Sequence, residues 1–133
     1  MKKIYVDATE TQLGRVGSFV VKQALKGDEV YVLNAEKAIM SGNKKDILNE
    51  ITTLRNKGGN SLKGPKVPRP PHRLLKRLIR GMLPWDRQRG RDAYKRIKCY
   101  KTGELDIEGK EVIKLKTRLP FKYMELNEIS RLI

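Results

Sequence analysis

Sixteen of the thirty Lys and Arg side chains in this 133-residue sequence fall within residues 55–101, accompanied there by only two acidic residues. Residues 1–54 hold 8 basic and 7 acidic side chains, and residues 102–133 hold 6 of each. Nearly all of the net charge of +15 therefore belongs to one middle block. Like charges gathered in one place repel, and a compact fold gains nothing from them unless something neutralises them. A solubility device would be spread over the surface, whereas a contiguous block reads as a binding face. The block also carries ordered apolar periodicity, which a merely solvated stretch lacks. Nucleic acid is the first polyanion to consider and an anionic membrane the second.

The membrane reading is the weaker one. No apolar run approaches the roughly 18 residues that span a bilayer. The start, Met1-Lys2-Lys3-Ile4-Tyr5-Val6-Asp7, opens like a signal peptide, but Asp7 interrupts the apolar stretch at once. The expected location is intracellular and cytoplasmic. Cys99 is the only cysteine, so no disulfide within the chain and no multi-cysteine zinc site is expected. The length fits one domain over residues 1–133, with 57–101 as a basic region within it.

Residues 3–7 and 29–34 read as strands, and the apolar spacing of Leu13, Val16, Phe19, Val20, Ala24 and Leu25 predicts a helix between them that stops at Gly27. That order implies a right-handed βαβ unit with parallel strands. Ser41 or Asn43 is placed to cap a further helix with Ile47, Leu48, Ile51 and Leu54 on its core face, ending at Gly58. Residues 57–71 contain three Gly and four Pro, which excludes a regular element. Lys57, Lys63, Lys66 and Arg69 punctuate this loop, which is suited to following an RNA backbone.

Pro71 then suits the first turn of a helix. On a wheel of about 100° per residue, Leu74, Leu75, Leu78, Ile79 and Met82 form one stripe and Arg73, Lys76, Arg77 and Arg80 the opposite one. Cations at these spacings destabilise an isolated helix by a few tenths of a kcal/mol per pair, a penalty that phosphates would remove. A second basic helix is predicted over 87–96, with Arg87 and Arg89 at its start. Ala93, Tyr94 and Ile97 would turn inward, and Arg91, Lys95, Arg96 and Lys98 outward. Strands are predicted over 97–100 and 111–115, a polar loop over 102–110, and a closing helix through Leu126, Ile129, Leu132 and Ile133.

Enzyme chemistry finds little support. The turn holding Gly14 and Gly17 completes neither the three-glycine dinucleotide fingerprint nor a Walker motif, and close packing of helix on sheet explains the glycines better. His72 is the only histidine, and its neighbours complete no Ser–His–Asp set; it reads as an RNA contact or a helix-start residue. Cys99 reads as a small buried hydrophobe. Trp85 is able either to stack on an unpaired base or to pack on the basic helix, and Tyr94 reads as packing. More than half of the block's cations are arginines, whose planar fork matches phosphate bidentately. No catalytic residue, cofactor, metal or small-molecule substrate is predicted. A DNA-compacting, chromatin-like protein would share the charge, and the sequence leaves that alternative standing.

The sequence also resembles a known family, the universal large-subunit ribosomal protein thirteen in its archaeal form. The matching stretches are Asp7 with Leu13-Gly14-Arg15, then Val30-Tyr31-Val32-Leu33-Asn34-Ala35-Glu36 and Ser41-Gly42-Asn43. The most specific run is Arg69-Pro70-Pro71-His72-Arg73 leading to Arg80-Gly81-Met82-Leu83-Pro84, then Arg89-Gly90-Arg91, Ala93 and Lys98-Cys99-Tyr100. Leu126-Asn127-Glu128-Ile129-Ser130 is similar to the archaeal form as well. In one departure, Tyr100-Lys101-Thr102-Gly103 is a residue longer than the family's usual Tyr-x-Gly. The resemblance implies a three-layer α/β/α fold with a four-stranded parallel sheet and a basic helical and loop extension. It further implies large-subunit ribosomal RNA and neighbouring large-subunit proteins as partners, and a role early in subunit assembly.

Overall fold

A computed structural model describes residues 2–57, 64, 66–102, 111–115 and 118–133. Lys63, the predicted end of the second helix at Gly58, and most of the predicted 102–110 loop lie outside the described residues.

Four strands form one parallel sheet: β1 (Lys3–Asp7), β2 (Glu29–Leu33), β4 (Ile97–Cys99) and β5 (Val112–Lys114), in the order β4-β2-β1-β5. Helices α1 (Leu13–Leu25), α3 (Pro71–Arg80) and α4 (Gln88–Lys95) flank it, completing the expected three-layer α/β/α architecture. Side chains alternate across each strand. Val6, Val30, Val32 and Ile97 are fully buried and join the core with Val16, Val20, Leu74, Leu75 and Ile79 from α1 and α3. The alternate positions present Tyr5, Tyr31 and Lys98 on the other face.

Local chemistry explains the ends of α1. Its apolar residues recur every three or four positions, and Leu13, Val16, Gly17, Val20, Val21 and Ala24 are buried. Gly27 adopts φ +101°, a left-handed conformation that glycine tolerates. Its N–H donates to Ala24 O at 3.0 Å and the Asp28 N–H to Gln23 O at 3.3 Å, closing the helix with the paired bonds of a Schellman turn. Helix α3 starts with Pro71 in its first turn and sinks Leu74, Leu75 and Ile79 completely. Met82 departs from its predicted stripe. The helix ends at Arg80, and Met82 beyond it is 41% exposed, with its sulfur against Gly17 of α1.

One feature escaped the periodicity altogether. Residues Ile39–Ser41 (β3) and Tyr123–Glu125 (β6) pair antiparallel as a separate two-stranded sheet. Three-residue strands are too short to show alternation, and the sequence placed Ser41 as a helix cap instead. Asn43 does occupy the position before α2 (Lys44–Arg55), but its side chain bonds the Asp46 carboxylate and caps no backbone N–H. Ile47 and Ile51 of α2 are buried as predicted, and Leu48 and Leu54 are half-buried. Helix α5 (Leu126–Leu132) closes the chain with Leu126 and Ile129 buried.

The glycines are not where the sequence reading put their role. A Cβ on Gly14 would meet nothing within 4 Å. One on Gly17 would lie 2.6 Å from the Met82 sulfur, so this glycine serves helix-on-helix and not helix-on-sheet packing. Gly90 is the most demanding: an added Cβ would lie 2.2 Å from the Pro84 carbonyl oxygen, a backbone atom that cannot step aside. Gly90→Ala should therefore destabilise the protein by at least about 1–3 kcal/mol, read as a lower denaturation midpoint. Gly17→Ala, opposed by the movable end of a methionine, should cost clearly less. Equal midpoints for the two variants would contradict this packing.

Candidate nucleic-acid interface

Burying Leu74, Leu75 and Ile79 fixes how α3 is rotated, and its opposite side becomes a cationic face. Arg73 is exposed, and Lys76, Arg77 and Arg80 are half-exposed. Among the described residues, no carboxylate lies in ion-pairing range of Arg73, Arg77 or Arg80.

Two aromatic residues shape this face. The Arg80 guanidinium lies 4.1 Å from the centre of the Trp85 ring, and the Lys76 ammonium lies 4.6 Å from that of Tyr94. Trp85 and Tyr94 meet edge to face, with centroids 5.1 Å apart at 86°. Such cation–π contacts contribute about 0.5–1 kcal/mol each at exposed sites. That exceeds the few tenths lost per pair of like charges on a helix. The protein itself thus offsets part of the repulsion that the sequence analysis assigned wholly to phosphates. Trp85 packs as Tyr94 does, and a guanidinium stacked by its flat face keeps its N–H edge for an oxyanion. Helical spacing carries no signal for these pairings, because residue 85 lies in the turn beyond α3 and residue 94 on the next helix.

Helix α4 adds exposed Arg87, Arg89, Arg91 and Lys95, and Lys98 stands exposed on β4. Arg91 Nε donates to the Trp85 carbonyl at 2.9 Å, tying this cation to the same cluster. Lys57 is exposed where the predicted loop begins and Lys66 within it, and residues 66–70 form no regular element, as their prolines require.

Two predicted contacts do other work. Arg96 does not face outward. Its Nη2 and Nε donate to the Ala24 carbonyl at 2.9 and 3.3 Å, where its charge meets the negative end of the α1 dipole. Arg69 donates through Nε to Ser130 O at 3.0 Å and through Nη2 to Arg131 O at 3.4 Å, while Ser130 Oγ donates back to Arg69 O at 2.6 Å. Both guanidiniums clamp helix ends. Helical spacing cannot reveal this, because the carbonyls lie 61 and 72 residues away along the chain.

His72 sits at the start of α3 with its Nδ1 buried and, among the described residues, without a hydrogen-bond partner. Burial and the charges of Arg73 and Lys101 hold its pKa below the ordinary imidazole value, so it is neutral at pH 7. Its neutral ring offers hydrogen bonding and no charge at this end of α3. Burial also pushes the Cys99 thiol up to about 12, against a lowering influence from Lys76, and the side chain behaves as the expected hydrophobe.

In open parallel sheets, ligands bind beyond the strand ends where the strand order reverses, here between β1 and β5. At this end of the sheet, groups of the chain bond one another. Asp7 Oδ1 accepts from Thr9 N (3.0 Å), Thr9 Oγ1 (2.7 Å) and Asn34 Nδ2 (3.1 Å), and the Lys114 ammonium donates to the Thr9 carbonyl. Burial raises the Asp7 pKa, but the bonds from Thr9 and Asn34 and the charge of Lys114 outweigh it and hold the carboxyl below its ordinary value of 3.8.

The exposed chemistry is therefore a helical cation face on a parallel α/β scaffold, which defines a basic α/β protein. The model of the family described as "Ribosomal protein L13" matches residues 1–105. Large ribosomal subunit protein uL13 of Methanosarcina barkeri is 42% identical over 132 residues, covering 95% of this chain and 94% of its own length. The protein of the same name from Archaeoglobus fulgidus is 38% identical, covering 95% and 84%, and that from Methanococcoides burtonii 40% identical, covering 95% and 94%. The chain belongs to the ribosomal protein L13 family, as the resemblance implied, and it is a structural ribosomal protein and not an enzyme.

Two outcomes follow for side chains that hold this scaffold. Arg96→Gln should lower the denaturation midpoint of the RNA-free protein, by about 1 kcal/mol or more for a lost charge-assisted bond. Arg77→Gln should leave it within about 0.5 kcal/mol, as surface changes usually do. Equal losses would show that Arg96 is a surface cation after all. Asp7, with a folded pKa below its unfolded one, contributes stability above the unfolded value and loses it as pH falls through the folded one. The stability gap between the wild type and Asp7→Asn should be full at pH 7 and narrow below about pH 4. A gap unchanged down to pH 2 would rule out the ionised carboxylate as its source.

Proposed function

We propose that this chain is a constituent of the large ribosomal subunit that binds large-subunit ribosomal RNA through α3, α4 and the adjoining loop, and that it supports early assembly of the subunit. The observation that carries this reading is the α3 face, where Arg73, Arg77 and Arg80 meet no carboxylate among the described residues. A preformed, arginine-rich face that shows no base-reading module fits folded RNA, which is recognised through its backbone and its shape. Lys76, Arg87, Arg89, Arg91, Lys95 and Lys98 extend this face, and Lys57, Lys63 and Lys66 belong to the loop that leads to it. His72 adds a neutral contact at the start of α3. Arg69, Trp85 and Arg96 act at one remove, by holding the elements that carry the face. Residues 1–133 act as one domain with 57–101 as its RNA-binding part, and neighbouring large-subunit proteins complete its surroundings.

The reading is tested by sedimenting a tagged chain from cell lysate on sucrose gradients. Co-migration with the large subunit, lost at high salt, is expected. Changing Arg73, Arg77 and Arg80 together to Gln should abolish incorporation while the circular dichroism spectrum stays native. In RNA-binding titrations the same variant should flatten the salt dependence by about one unit of slope per arginine that meets a phosphate. Normal assembly of the triple variant would mean that the RNA face lies elsewhere. Equal affinity for duplex DNA and structured RNA would favour the DNA-compacting alternative.

A further inference from the structure

Residues 118–123, Arg-Leu-Pro-Phe-Lys-Tyr, lie beyond the stretch that the family model matches. They place an aromatic ring almost wholly in water: Phe121 is 97% exposed, with Leu119 at 49% and Tyr123 at 43%. Leaving a phenyl ring solvated forgoes a large gain from burial.

The backbone that carries this ring is fastened on both sides. Tyr123 pairs with Ser41 in the β3–β6 ladder, and the Gly42 N–H donates to the Lys122 carbonyl at 2.9 Å. On the other side, Gln12 Nε2 donates to the Arg118 carbonyl at 3.1 Å. Phe121 is thus presented by a pinned ribbon.

The surroundings choose between kinds of partner. A protein partner would need a contiguous apolar patch with charge excluded from its centre. Here cations interrupt the apolar residues: Arg118 and Lys122 flank Leu119 and Phe121 and are exposed. A groove is lined by Gly42, Asn43, Lys44, Phe121, Lys122 and Tyr123, and the next residue along, Lys45, is exposed as well. Lys44 shares its charge with Glu128, but Lys45, Arg118 and Lys122 meet no carboxylate among the described residues. Of the nearest acids, Asp46 is held by Asn43, and Glu125 is exposed two residues beyond Tyr123. Aromatic rings interleaved with cations are the chemistry of single-stranded nucleic-acid binding, in which rings stack on bases and cations track the backbone.

We propose that Phe121 is the centre of a second RNA contact, separate from the α3 face, in which its ring stacks on an unpaired nucleotide while Arg118 and Lys122 meet the adjoining phosphates. This rests on the reading of the chain as a ribosomal-RNA-bound protein. The test uses large subunits reconstituted with the full chain and probed by 2′-hydroxyl acylation, which reports how freely each unpaired nucleotide moves. The wild type should protect a discrete nucleotide. Phe121→Ala should still enter the subunit through the α3 face and raise acylation there on the order of fivefold, the lower end for losing one stacked base. Phe121→Trp should keep the protection. Because the ring packs on nothing, Phe121→Ala should melt as the wild type does.

Acylation unchanged between Phe121→Ala and the wild type would overturn the proposal. So would a photoreactive phenylalanine analogue at position 121 that cross-links to protein and not to RNA. Failure of the wild type to enter subunits at all would overturn the underlying reading, and the gradient shows that separately.

Discussion

Helix α3 joins two requirements that oppose each other. Leu74, Leu75 and Ile79 are fully buried, and they fix the direction in which Arg73, Lys76, Arg77 and Arg80 point. Each fully buried Leu or Ile stabilises the fold by about 1.5–3 kcal/mol. The repulsion among cations on the other side amounts to tenths of a kcal/mol per pair. Burial wins by a wide margin, so the helix forms and the cations are carried outward whether or not RNA is present. Trp85 and Tyr94 then lie beneath Arg80 and Lys76 and reduce what remains of the strain. The face is preformed, and preformed faces lower the ordering cost of any binding they take part in.

What the sequence revealed follows from which forces act locally. The strands at residues 3–7 and 29–34, α1 and both basic helices were all legible, because apolar spacing and a terminal Gly or Pro act within a few residues. The β3–β6 pair was not. Each strand has three residues, and the pairing joins positions more than 80 residues apart. The surface divides in the same way. The side of α3 that carries charge could be read from a helical wheel, but not what each guanidinium touches. Arg77 and Arg96 look alike in the sequence, and only the tertiary fold brings the end of α1 to Arg96.

That distinction changes the meaning of the basic block. Its charge is not all aimed at a polyanion. Arg96 satisfies the end of α1, and Arg69 that of α5, where the last carbonyls have no partners within the helix. Arginine suits both tasks for one reason: its fork offers several donors in fixed geometry, to phosphate oxygens outside or to peptide carbonyls inside. A net charge therefore overstates the binding face, and the cations that merely hold the scaffold have to be subtracted from it.

At the ends of the parallel strands the chain bonds to itself as well. Asn34 and Glu10 adopt left-handed backbone conformations, at φ 58° and 54°, which cost energy for residues other than glycine. Strain of this kind often gathers where a fold receives a ligand. Here both residues are held by bonds within the chain: Asn34 Nδ2 donates to Asp7, and the Glu10 N–H to the Lys37 carbonyl at 3.0 Å. These bonds join the ends of β1 and β2 to each other and, through Lys114, to β5. A sheet locked at this edge presents α3 and α4 in a fixed relation. The cations of both helices are thereby held at a fixed spacing.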